Sequence, residues 1–213
     1  QIEMPQEGFS RLDAQGNKPQ PQTWRLSDGK VSTISLDLGV HLHHIIDYLT
    51  GEYPLQVVAD AASYGWFDDV IDNVSCMLRY SGGLHCQMWY SKSALGQRNG
   101  LKVRVYGDKG SAEWLQIQPE ELLISTVDGR REILDRASSV DVANLDRYNR
   151  FKAGHPAGFI EAFANIYYDI ADAYSGFQQS GVFKSSEVLG GTHALNGLKL
   201  CEAIDLSVDE SRW

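Results

Sequence analysis

The chain has 213 residues and a formal net charge of −9, with 43% hydrophobic and 22% charged residues. These proportions are those of a globular protein long enough to bury a sizeable core. No segment reaches the roughly 18 consecutive apolar residues of a membrane span, and an acidic chain without a basic stripe is a poor match to a phosphate backbone or an anionic membrane surface. Neither nucleic acid nor a membrane is therefore expected as a partner. The first residues are polar and include Pro5, unlike a signal peptide. Cys76, Cys86 and Cys201 are odd in number and show no CxxC spacing, which reads as reduced thiols in a cytoplasmic protein.

Residues 10–30 are rich in Pro, Gln, Gly and Asp and read as loop. Residues 35–49 follow with Leu38, Leu42, Ile45, Ile46 and Leu49 at three- and four-residue spacing, the pattern of a helix stopped by Gly51 and Pro54. A strand-rich block comes next. Residues 55–62 read as a strand, and residues 73–80 alternate, with Val74, Cys76, Leu78 and Tyr80 on one face. Ser81-Gly82-Gly83 turns them into residues 84–90. Residues 101–106 and 111–115 flank the turn Gly107-Asp108-Lys109-Gly110, and residues 121–125 and 132–134 flank Asp128-Gly129. Short turns between successive strands predict antiparallel pairing.

Two helices are predicted after the strands. Residues 156–174 carry Phe159, Phe163, Ile166, Ile170 and Ala173 on one side, and residues 191–208 form the last. Strands framed by helices predict an α+β domain over residues 1–213, a broad and mainly antiparallel open sheet with helices packed on one face. The other face would have to place Met77, Met88 and Trp89. An uncovered face with such residues is an expected homo-oligomer interface.

The chemically suggestive stretch is Asp37-Leu38-Gly39-Val40-His41-Leu42-His43-His44. Helical spacing puts Asp37 and His41 on one face, with His44 close by. An Asp beside a His holds the imidazole and raises its proton affinity, an arrangement suited to acid–base work near neutral pH. The same spacing also serves structure alone, and Asp37, His41 and His44 could equally be read as a facial set of metal ligands. Gly39 costs a helix roughly 1 kcal/mol relative to Ala, which makes sense if something packs closely against it. His85, His155 and His193 are isolated and read as structural. There is no GxGxxG, no strand-to-helix glycine loop and no Gly-x-Ser-x-Gly elbow.

The segment DLGVHLHHIIDYL (residues 37–49) resembles the DxGxH helix of the Gfo/Idh/MocA oxidoreductases. Trp24-Arg25, twelve residues earlier, resembles the Trp-Arg pair that often precedes it. Asn99-Gly100-Leu101 with Gly107 to Trp114 resembles one branch's NGL…GxKGSxEW hairpin, and His155 to Phe163 resembles its HPxGxxEAFAN helix. The order is kept along nearly the whole chain.

The resemblance implies a substrate-binding and oligomerisation domain whose partner, an N-terminal Rossmann domain with its glycine loop and Glu-Lys-Pro lysine, is expected to be absent from this chain. It implies hydride transfer between NAD or NADP and a sugar, cyclitol or related polyol. His41 would be the proton donor or acceptor, Asp37 would orient it or contact substrate, and Trp24, Arg25 and His44 would line the site. No metal is expected at the site. A non-catalytic sugar- or nucleotide-sensing member of the same fold is the alternative. Two departures stand out: His44 replaces an Asp that many members carry, and Val31-Ser32-Thr33 replaces a Gly-rich run.

Overall fold

The computed structural model of the protein describes residues 1–213. Its strands are β1 (Ile2–Pro5), β2 (Pro54–Ala62), β3 (Asn73–Tyr80), β4 (His85–Ser91), β5 (Lys102–Gly107), β6 (Gly110–Leu115), β7 (Leu122–Thr126) and β8 (Arg131–Leu134). The helices are α1 (Val40–Thr50), α2 (Phe159–Ser180) and α3 (Gly191–Glu210), with a 3-10 turn at Thr23–Leu26 and a π-turn at Ser35–Gly39 leading into α1. The sheet runs β2-β3-β4-β1-β5-β6-β7-β8. It is mixed and mostly antiparallel, the class expected from the strand pattern. The parallel pairing is β1 with β4, in register from Ile2↔Met88 to Pro5↔Ser91. Residue contacts divide the chain into two compact units, residues 1–104 with 195–213, and residues 105–194. No helix is long and apolar enough to cross a membrane.

The first unit is built on the alternation of β3 and β4. Val74, Cys76, Leu78 and Tyr80 of β3, and Cys86, Met88 and Tyr90 of β4, are buried. Met88 therefore faces the core, not the uncovered side, because it shares the two-residue period of Cys86 and Tyr90. Met77 is 49% exposed and lies on the opposite face. Leu38, Leu42 and Ile46 of the first helix and Leu200, Cys201 and Ile204 of α3 are also buried. Full burial of each such side chain contributes roughly 1.5–3 kcal/mol before entropy is counted. The three thiols are free and buried.

The first helix is not α-helical throughout. Its entry over Ser35–Gly39 closes as a π-turn, a bulge that adds one residue to the turn and recurs at functional sites. Gly51 ends α1 with φ 64°, its N–H on the Asp47 carbonyl, the left-handed C-terminal position that glycine takes without strain.

In the second unit Arg136 ties the loop before α2. Its guanidinium donates to Glu120 at 2.6 Å, to the Phe151 carbonyl at 2.8 Å and to the His155 carbonyl at 2.7 Å. Helix α2 starts three residues after Pro156 and runs on to Ser180. Of the apolar stripe expected to face inward, only Ala173 is buried; Phe159, Phe163, Ile166 and Ile170 are exposed. Amphipathic periodicity records which residues could share a buried face, and within this unit little of that face is covered.

Candidate active site

Asp37 sits inside the π-turn and His41 in the first turn of α1. The π-turn follows the segment at Ser32 and Thr33, which two carboxylates organise. Asp28 accepts the Thr33 N–H at 2.7 Å and the Ile71 N–H at 2.7 Å. Asp205, on α3, accepts the Ser32 N–H at 2.8 Å, and burial pushes its own pKa up. The helix then lies against the sheet at Gly39. A β-carbon there would meet the Tyr90 ring tip at 3.3 Å and Cys201 Sγ at 3.7 Å. The close packing that the glycine suggested is thus present, and the Tyr90 hydroxyl pairs with Ser35 Oγ at 2.8 Å.

The Asp37 carboxylate is held by two cations. Arg25 Nη2 donates to Oδ1 at 3.1 Å, and Lys92 Nζ lies 2.5 Å from Oδ2. Arg25 in turn stacks on Trp24, with 4.8 Å from guanidinium carbon to ring centroid. Trp24 is half exposed. Trp24, Arg25 and Asp37 are therefore brought together. Asp37 is bound to Arg25 and Lys92 rather than to the His41 imidazole. The i, i+4 alignment presumes α-helical geometry, and the π-turn takes Asp37 out of that register. His41 itself is exposed to solvent.

The other two histidines of the stretch point elsewhere. His43 is buried. A β-carbon on Gly197 of α3 would meet His43 at 3.3 Å and His44 Nε2 at 3.7 Å, so both rings serve the packing of α1 against α3. Asp37, His41 and His44 form no converging ligand set. A concavity of about 820 Å³ in the first unit is lined by His43, Asp47, Tyr53, Lys199, Trp213 and their neighbours. It does not include Asp37 or His41.

Lys92 is the functional candidate that motif reading missed. It is 2% exposed, and burial pulls its pKa down, partly offset by the Asp37 hydrogen bond and charge. A signal was present in the sequence. The alternation Cys86, Met88, Tyr90 places position 92 next on the inward face, where a lysine is conspicuous.

Comparison with known proteins agrees with this architecture. Residues 8–113 match the model of the GFO/IDH/MocA C-terminal domain. The uncharacterized oxidoreductase YfiI of Bacillus subtilis (strain 168) is 28% identical over 172 residues, 78% of this chain and 43% of that protein. An oxidoreductase from Sinorhizobium meliloti superposes with a TM-score of 0.73 at 26% identity, over 98% of this chain and 54% of that one. The inositol dehydrogenase homolog from Azotobacter vinelandii, complexed with NADH and myo-inositol, superposes with a TM-score of 0.78 at 24% identity, again over 98% and 54%. The chain spans about half the length of these relatives. It belongs to the GFO/IDH/MocA family, as the C-terminal domain of such oxidoreductases.

Proposed function

We propose that this chain is the substrate-side domain of a cytoplasmic, homo-oligomeric oxidoreductase that moves a hydride between NAD or NADP and a sugar, cyclitol or related polyol. The observation that carries the reading is the helix entry itself, with an aspartate clamped by two cations and an exposed histidine one turn further on. The relative crystallised with NADH and myo-inositol supports the substrate class.

When bound, the dinucleotide supplies the hydride acceptor or donor. The rest of the chemistry falls to side chains. Oxidation of a carbinol requires the hydroxyl proton to leave; His41 receives it, and returns it to the carbonyl oxygen in the reverse direction. Asp37 accepts a hydrogen bond from a substrate hydroxyl and orients the sugar ring. Trp24 and Arg25 form the wall beside it.

The fit to a dinucleotide is partial within this chain. Gly158, the glycine that precedes α2, donates its N–H to Glu161 Oε2 at 2.8 Å. A carboxylate thus occupies that helix N-terminus, where a pyrophosphate would otherwise bind. In this reading a Rossmann partner domain holds the phosphates and this chain meets the nicotinamide end.

The test is turnover. The intact protein is assayed for NAD(P)-dependent oxidation of a panel of cyclitols, aldoses and polyols, with binding followed by calorimetry. Reduction of the dinucleotide by one class supports the proposal. Sugar binding without turnover on any of them would replace it with a sensing role.

A further inference from the structure

We propose that Lys92 is a positioning residue of this site, fixing the Asp37 carboxylate in place with its buried ammonium. The inference rests on the reading of Asp37 and His41 as the substrate-facing pair.

The backbone at Lys92 is pinned on both sides. Its N–H donates to the Asp72 carbonyl at 2.8 Å, and its own carbonyl accepts the Phe9 N–H at 2.7 Å. Ser91 Oγ also donates to the Asp72 carbonyl, at 3.2 Å. The Asp72 side chain is fully buried and accepts the Gly65 N–H and the Ser93 hydroxyl, at 2.6 and 2.8 Å. The segment after β4 is thereby a fixed platform. From it the lysine side chain runs inward. The ammonium ends 2.5 Å from Asp37 Oδ2 and 5.1 Å from the Phe9 ring centroid.

The other anchor is of a different kind. Arg25 comes from the 3-10 turn, its side chain is 32% exposed, and it binds Oδ1 at 3.1 Å. An exposed arginine can swing away; a lysine 2% exposed on a fixed backbone cannot. The two together leave the carboxylate little freedom to rotate about its Cβ–Cγ bond.

Stability alone does not account for this lysine. Desolvating an ammonium is costly, and an apolar side chain of similar length fills such a space without that cost. A buried charge aimed at a single carboxylate does what an apolar chain cannot. It fixes where the negative charge lies, and catalytic groups misplaced by about 1 Å can lose about 10²-fold in rate. Because both carboxylate oxygens are engaged by cations, Asp37 reaches substrate through lone pairs left over from those contacts. Its direction of approach is therefore set by Lys92 and Arg25.

The experiment is a mutant cycle in the intact protein. Turnover, KM and dinucleotide affinity are measured for Lys92→Met, Asp37→Asn, the double variant, Lys92→Arg and His41→Ala. Lys92→Met is expected to lower kcat by roughly 10- to 100-fold with dinucleotide affinity unchanged. The double variant should be no slower than Asp37→Asn alone, and Lys92→Arg should recover part of kcat. Wild-type kcat in Lys92→Met, or losses that multiply in the double variant, would overturn the proposal. Should Lys92→Met not fold, Lys92→Gln takes its place in the cycle with the same two outcomes. Normal turnover in both His41→Ala and Asp37→Asn would instead remove the underlying reading of the site, whatever Lys92 does.

Discussion

The ring tip of Tyr90 lies 3.3 Å from where the β-carbon of any larger residue at Gly39 would go, so a side chain there requires the ring to shift by a few tenths of an ångström. Tyr90 is fully buried and its hydroxyl is bonded to Ser35 on the same helical turn, so the ring has no free direction in which to yield. On propensity alone Gly39→Ala would stabilise a helix by roughly 1 kcal/mol. Overpacking costs about 1–3 kcal/mol and should win. Urea unfolding of Gly39→Ala should show a lower midpoint with an unchanged slope. A midpoint at or above wild type would mean that Tyr90 moves aside.

Lys92 should impose an alkaline limit on the reaction. Burial lowers its pKa from the ordinary 10.5; Arg25 lowers it further, while Asp37 and Asp28 act the other way. As pH rises the ammonium loses its proton earlier than an exposed lysine would, and the Asp37 clamp goes with it. The rate should therefore fall on the alkaline side, at a pH below 10.5. In Lys92→Arg that limb should move out of reach, because a guanidinium keeps its charge to above about pH 12. An unchanged limb in Lys92→Arg would assign it to another group.

The thiols should be inert in the folded protein. Burial, with Asp205 nearby, pushes the Cys201 pKa up to about 12, and burial raises those of Cys76 and Cys86 as well. At pH 8 the thiolate fraction of Cys201 is then on the order of 1 in 10⁴. Iodoacetamide at pH 8 should add no mass without denaturant and three carbamidomethyl groups in urea, one for each cysteine. Fast native labelling at Cys201 would show that α3 opens readily.

Some of this was legible in the residues and some was not. The two-residue period of β3 announced the core, and Gly39 announced a close approach to the helix, whereas Met88 of β4 was expected on the outer face and is buried. Strand β1 was not legible. It is four residues long, contains Pro5 and pairs with strands distant in sequence, Ile2 with Met88 and with Val103; nothing local signals that. The π-turn was equally silent, since sequence spacing is read on an α-helical wheel. That is why Asp37 looked like a partner for His41 when its charge goes to Arg25 and Lys92. Lys92 was visible as a lysine in an inward position, but its partner lies on another element and could not be named from spacing. For α2 the period was right and the burial was not, because periodicity identifies a face without saying what covers it.

Self-association should use the outer face of the first unit's strands. Met77 is 49% exposed there, in a region that also carries the exposed Arg79 and Gln87. Met77→Glu should lower the mass of the intact protein in light scattering at a given concentration while leaving its melting temperature as monomer nearly unchanged, as expected of an exposed position. An unaltered oligomer would place the interface elsewhere.

In the proposed reaction His41 moves the proton, and steady-state kinetics of His41→Ala in the intact protein tests this most directly. A positioned acid–base side chain typically contributes about 10²–10⁴-fold. The variant should lose turnover by that factor while its dinucleotide affinity stays close to wild type, because in this reading the phosphates are held by the partner domain. His43→Ala should differ, acting on stability through the contact with Gly197 rather than on the chemical step. Near-normal turnover in His41→Ala, with turnover abolished in His44→Ala, would contradict the assignment.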